Sequence, residues 1–272
     1  MAATAPETFT LTINHLDRAG HATGSYETTV MGISGAGVDE YVQPHDPDGT
    51  TTVELPRGRY VLESSLTGGA DGAADWIVQP RLDLDRDITI TVDARAAKPV
   101  DVRPPDRSAT FLHSGLFVKV THDGTERLLN RIDATPRLRV AHLGPAAEPG
   151  SVKQWFDAYW TIGDVDYALG HTVAGSRVLT GLVKHPAPQD LATLRVEGTG
   201  EPATATVGIT PSPGPTVGLT RGLPVPGTAT FRVTPERGTW DVSYGANGGI
   251  EVVEGNTLRA GRTTTLTFPT NG

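Results

Sequence analysis

Chemistry in a polypeptide needs a nucleophile with a base, a set of metal ligands, or paired carboxylates. Cysteine is absent, so thiolate catalysis, disulfides and thiolate metal sites are excluded. No Gly-x-Ser-x-Gly elbow occurs, and the eight histidines (15, 21, 45, 113, 122, 142, 171 and 185) stand apart, with neither His-Glu-x-x-His nor His-x-His among them. His45-Asp46-Pro47-Asp48-Gly49 is oxygen-rich and makes Asp46 and Asp48 a weak Ca²⁺ candidate. The same residues suit a turn, which is the favoured reading: Asp46 and Asp48 are turn formers and Pro47 fixes φ. Asp83, Asp85 and Asp87 would share one face of a strand, as would Asp164 and Asp166, and a solvated face is the simpler explanation. No carboxylate pair is marked out for glycoside hydrolysis. Gly32, Gly35 and Gly37 precede no helix whose N-terminus could hold phosphate. No catalytic residue, metal or cofactor is therefore assigned.

Aromatic residues offer the remaining site. Trp155, Phe156, Tyr159 and Trp160 crowd one segment. On a strand, Trp155 and Tyr159 share a face with Asp157, while Phe156 and Trp160 share the other. The Phe156 face is expected to be core. The Trp155/Tyr159 face, mixed and partly wet, is expected to meet a neighbouring domain; less favoured are stacking on sugar rings and a strand buried on both faces. Trp155 and Tyr159 are thus the candidate binding residues.

The elements that must position these groups are strands. Alternation of period two runs through Phe9-Leu11-Ile13, Thr51-Val53-Leu55, Ile88-Ile90-Val92, Phe156-Ala158-Trp160, Trp240-Val242-Tyr244 and Leu266-Phe268. Turn signals recur at Asp17-Arg18-Ala19-Gly20, Asp48-Gly49, Arg57-Gly58, Asp123-Gly124, Arg237-Gly238 and Asn247-Gly248. No capped helical stripe of useful length is present. The fold class is all-β, in tandem antiparallel β-sandwich domains. Ala94-Arg95-Ala96-Ala97-Lys98-Pro99 and Pro104-Pro105-Asp106 place a boundary between a first sandwich over 7–96 and a second over 98–272. Pro211-Ser212-Pro213-Gly214-Pro215 lies in a Pro/Gly-dense stretch that reads as a surface loop or joint.

The 272 residues carry a net charge of −8 and a pI near 5.4, which argues against a nucleic-acid or anionic-membrane partner. No apolar run approaches the ~20 residues of a membrane span. Met1-Ala2-Ala3-Thr4-Ala5-Pro6 lacks the charged and apolar regions of a signal peptide.

Several segments together resemble a family. Thr8-Phe9-Thr10-Leu11-Thr12-Ile13 followed by Leu16-Asp17-Arg18-Ala19-Gly20 resembles the segment after the catalytic domain of large secreted subtilisin-like serine peptidases of actinobacteria. Asp48-Gly49-Thr50 leading into Val53-Glu54-Leu55-Pro56-Arg57-Gly58-Arg59-Tyr60, and the strand from Ile88 to Asp93, resemble transthyretin-like, carboxypeptidase-regulatory-type sandwiches. Phe231-Arg232-Val233, Trp240 and Leu258-Arg259-Ala260-Gly261-Arg262 resemble the family's distal β-region. The Asp-Ser/Thr-Gly, His-Gly and Gly-Thr-Ser segments of the protease itself are missing, so its activity transfers to no residue here. The resemblance implies a non-catalytic accessory region that stabilises or positions a protease or its substrate. It also implies that the chain is exported within a larger precursor, with neighbouring peptidase domains as partners and further sequence beyond Gly272. Two rival expectations stand beside it: a free-standing module that binds polysaccharide or cell-surface material, and a hydrolase whose triad is assembled from distant residues.

Overall fold

The computed structural model describes residues 5–67, 69, 72–133 and 135–270, so most of the searched export segment, and Gly272, lie outside the described residues. Strands are numbered in chain order. The expected fold class holds: the chain is all-β, and the helix among the described residues amounts to three single 3-10 turns. The strands form three sheets stacked as layers.

The outer layer is a three-stranded sheet in the order β4 (Thr50–Pro56), β1 (Thr8–Leu16), β7 (Ile88–Asp93). The middle layer has seven strands, in the order β14 (Leu182–Lys184), β8 (Lys98–Val102), β11 (Arg139–His142), β6 (Asp75–Leu84), β5 (Gly58–Leu66), β2 (Tyr26–Gly35), β3 (Tyr41–Val42). The outer layer covers one face of the middle layer through Leu11, Ile13, Leu55 and Val92, which meet Val30, Tyr60, Leu62 and Ile77. Here the alternation of β1 does what its period predicts: Leu11, Ile13 and His15 point inward and their neighbours are half-buried.

The third sheet begins β10 (Thr125–Asp133), β9 (Thr110–His122), β12 (Val152–Ile162), β13 (Val165–Gly175) and continues β16 (Leu219–Val233), β15 (Ala192–Ser212), β17 (Thr239–Ala246), β18 (Gly249–Asn256), with β19 (Thr263–Thr270) on the free edge of β15. Its first half covers the other face of the middle layer, where Leu116, Val118 and Phe156 join a core with Met31, Val61, Trp76 and Val78. A sheet covered on both faces has no wet side, and the runs Tyr60-Val61-Leu62 and Trp76-Ile77-Val78 are buried throughout.

The second half of this sheet folds on itself. The long β15–β16 hairpin shifts register between Gly198 and Ala203. On one side of the shift β15 pairs with β19, on the other with β17. The two arms close over Leu194, Val196, Phe231, Ile209, Leu223 and Trp240, and Tyr244 stacks on Phe268 at 4.8 Å across them.

Two expectations need restating. The sheets are mixed: β1–β7, β6–β11, β8–β14, β13–β16 and β15–β19 are parallel pairs within a largely antiparallel set. The hydrogen-bond ladder also crosses the boundary placed between 96 and 98, because β8, β11 and β14 extend the sheet built by β2, β5 and β6. Composition at 94–106 marks the turns on either side of β8, and a local signal of that kind carries no information about which sheet that strand joins.

Candidate functional site

The Asp46/Asp48 loop is a turn held by its own groups. Asp46 Oδ1 accepts the Asp48 amide at 2.8 Å, and the Gly49 amide donates to Asp46 O at 3.1 Å. The loop is anchored from the core by Tyr26, whose hydroxyl accepts the Asp46 amide at 2.8 Å. Among the described residues no three His, Cys, Asp or Glu side chains converge as metal ligands. Asp83 bridges Arg59 (2.6 Å) and Arg81 (2.7 Å) at the surface, and Asp166 pairs with Arg221 at 3.2 Å.

The aromatic strand β12 has the expected division of faces but not the expected wetness. Trp155 and Tyr159 are 3% and 0% exposed, and Phe156 is 4%. The Phe156 side makes the contact with the middle layer, while the Trp155/Tyr159 side is closed from within its own half of the chain. The Pro/Gly-rich segment between β15 and β16 lies over it. Tyr159 Oη and Thr216 Oγ1 are 3.1 Å apart, and His113 Nε2 hydrogen-bonds the Gly218 carbonyl at 2.9 Å. Neither ring offers a free face to a sugar. The partly wet face and the inter-domain role assigned to Trp155 are therefore corrected.

Between these two rings sits Asp157, the charge that made this face read as partly wet from the sequence. Asp157 is 1% exposed and accepts two bonds from Arg237, Nε–Oδ1 at 2.7 Å and Nη2–Oδ2 at 3.3 Å. Arg237, itself 0% exposed at the side chain, also donates to the carbonyls of Pro213 (2.9 Å) and Pro215 (3.3 Å). Burial pushes the Asp157 carboxyl up, and the Arg237 hydrogen bonds and charge oppose that shift. Gly170 leaves the room: a Cβ there would overlap Arg237 Cγ. The pair pins the 213–215 loop onto β12 and is a joint, with no space for a reactant.

A hydroxyl held against an imidazole does occur, in the outer core. His15 Nδ1 donates to the Gly49 carbonyl (3.1 Å), which leaves Nε2 to accept from Thr28 Oγ1 (2.7 Å), and Ser64 Oγ lies 2.8 Å from Thr28 Oγ1. Tyr26 stacks on the His15 ring at 3.4 Å. Burial lowers the His15 pKa to about 4. His15, Thr28 and Ser64 are 0%, 3% and 0% exposed, so no substrate reaches them, and the triplet satisfies buried polar groups. The period of β1 gives the signal for its burial, since His15 follows Leu11 and Ile13 at spacing two.

One cavity differs from these closed sites. At the end of the middle layer, the face that carries Met31 and Val61 in the core turns polar, with Glu27, Thr29, Glu63 and Ser65. The β10 edge stands off from it, leaving a cleft of about 440 Å³. Its floor is Glu63, whose Oε2 accepts the Trp76 indole N–H at 2.8 Å, and burial raises the Glu63 carboxyl above its usual range. One wall is Asn130 and Arg131, with Arg131 Nη1 on Ser65 Oγ at 3.1 Å and Nε on Asp133 at 3.3 Å. The other wall is Tyr41 and Gln43, with Gln43 Nε2 3.3 Å from Tyr41 Oη. Tyr41 is 61% exposed. Sequence reasoning passed over all of these residues, because they come from five strands and one loop and form no motif.

Fold and site together define a class: an all-β protein of stacked, strand-sharing layers, with sealed polar joints and an open polar cleft. No family model matches the sequence, and no curated protein matches it. Among solved structures, the Bacillus anthracis TIE protein aligns over 96% of this chain and 51% of its own, at 12% identity and a TM-score of 0.23, so this chain spans about half of that protein. BcpA, the major pilin subunit of Bacillus cereus, aligns over 97% and 99% at 8% identity and 0.20. A putative cell adhesion protein from Bacteroides ovatus aligns over 98% and 94% at 11% identity and 0.23. The functional reading rests on the chain's own geometry.

Proposed function

We propose that this chain is a non-catalytic, rigid accessory module of a larger extracellular protein. One observation carries the reading: the middle sheet is built from strands on both sides of residue 97 and is covered on both faces, so the parts cannot move as separate beads. Arg127 of the third sheet adds to the weld by donating to the carbonyls of Gly32 and Val38, each at 2.7 Å. A stiff spacer of this kind suits positioning a neighbour. The resemblance of 8–95 to the region after a subtilisin-like catalytic domain makes a secreted peptidase the proposed carrier. A second reading, a module that holds polysaccharide or cell-surface material, is favoured by the polar cleft.

Calorimetry and active-site labelling of the 272-residue chain test the first reading. One cooperative transition and no reaction with a fluorophosphonate are expected. Two separate transitions would remove the rigid-spacer claim. Labelling of a single serine or threonine in the folded chain would make it an enzyme.

A further inference from the structure

The geometry points to the cleft between β3 and β10 as a binding site for a neutral saccharide of two or three units. This inference rests on the non-catalytic reading above and gives it a ligand.

The cleft is not a place where a core simply ends. Glu27, Thr29, Glu63 and Ser65 project from the face of the middle layer that carries Met31, two residues after Thr29 in β2, and Val61, two residues before Glu63 in β5. Apolar side chains there would let β10 close down as β9 and β12 do. Polar ones, including a carboxyl raised by burial, hold open a space that falls within the about 300–1,000 Å³ typical of small-ligand pockets. Retaining half-desolvated polar groups around an open volume costs stability unless something else uses them.

The lining selects the ligand class. Thr29 and Ser65 hydroxyls both donate and accept, and Asn130 and Gln43 amides present a donor beside an acceptor, which matches neighbouring sugar hydroxyls. Glu63 adds a strong acceptor fixed by the Trp76 indole. Tyr41, 61% exposed at the rim, provides a ring face for the apolar side of a pyranose. Charge argues against an anionic polymer: Glu27 and Glu63 face the cleft, and its guanidinium, Arg131, is already engaged by Asp133 and Ser65. Among the described lining residues the other basic side chain, His45, is held by the Gly24 carbonyl at 3.0 Å.

The test is calorimetric titration of the full chain with neutral oligosaccharides of gluco, manno and N-acetylglucosamine type, and with sulfated and uronic-acid oligomers. At least one neutral oligomer is expected to bind with Kd below about 1 mM, and the anionic ones not to bind. Tyr41→Ala and Asn130→Ala should each weaken it about tenfold or more while the melting temperature stays put, since both side chains are exposed. Ile250→Ser, on a distant edge strand and 78% exposed in the native chain, should leave affinity unchanged. The same oligomer, free and as insoluble polymer, separates a soluble ligand from a surface one. Silence across the neutral panel overturns the proposal, as does preference for the anionic oligomers. Binding that survives both cleft variants also overturns it. None of these outcomes touches the accessory reading, which fails instead on fluorophosphonate labelling or split unfolding.

Discussion

The Asp157–Arg237 joint and the β3–β10 cleft both set charged side chains against a face of sheet, and they come out opposite. At the joint every charge has a partner. The guanidinium bonds the carboxylate twice and two carbonyls besides, and neither side chain is more than 1% exposed. At the cleft the contacts are fewer, Trp76 on Glu63 and Arg131 on Ser65 and Asp133, and the polar groups face open volume. Buried charge that is fully matched fixes a geometry, whereas partly matched polar surface beside a space is left for another molecule. The types of residue do not separate the two cases, since each has an Arg and a carboxylate.

The largest effect should come from breaking the joint. Arg237→Ala leaves Asp157 buried and unpaired and should cost about 3–5 kcal/mol in urea denaturation. The double change Arg237→Met with Asp157→Leu should recover much of that loss. A small cost for the single variant would mean that water reaches the pair, and the contrast with the cleft would collapse.

The two faces of β12 sharpen the comparison further. Trp155→Ala and Phe156→Ala should each cost about 3–5 kcal/mol, because both side chains are closed in, one under the 213–218 loop and one against the middle layer. A near-silent Trp155→Ala would restore the wet face that the sequence suggested.

Acid should act on the His15 triplet. The folded pKa of about 4 lies below the free value of 6.5, so the neutral ring stabilises the fold fully above pH 6.5. That stability is lost as pH falls from 6.5 to about 4 and amounts to about 3 kcal/mol. Nuclear magnetic resonance titration should find the His15 ring still neutral at pH 5. A midpoint near 6.5 would show that the ring is wet.

Gly58 gives a smaller effect with a changed cause. The sequence marks Arg57-Gly58 as a turn, where a glycine serves for positive φ, but Gly58 is the first residue of β5 and is not in the left-handed region. A Cβ there would come within 2.6 Å of the Ser34 carbonyl oxygen. Gly58→Ala should cost about 1–3 kcal/mol through overpacking against backbone. The smallest effect belongs to the cleft rim, where Tyr41→Ala should alter stability by no more than about 0.5 kcal/mol.

By itself the sequence determined the strands. Phe9-Leu11-Ile13, Ile88-Ile90-Val92 and Trp240-Val242-Tyr244 alternate because a pleated chain turns successive side chains to opposite faces, and that rule needs no partner to be read. It likewise settled that Trp155 and Phe156 point in opposite directions. Tertiary structure alone decided what lies beyond each face. β12 is dry on both sides because the middle layer meets Phe156 and the 213–218 loop meets Tyr159, and those segments are far away along the chain. Arg237 finds Asp157 across 80 residues, and the cleft gathers Glu63, Tyr41 and Asn130 from three separate strands. Periodicity is a property of neighbours along the chain, whereas sheet order and the space between layers depend on which distant strands pair, and local spacing does not encode that choice.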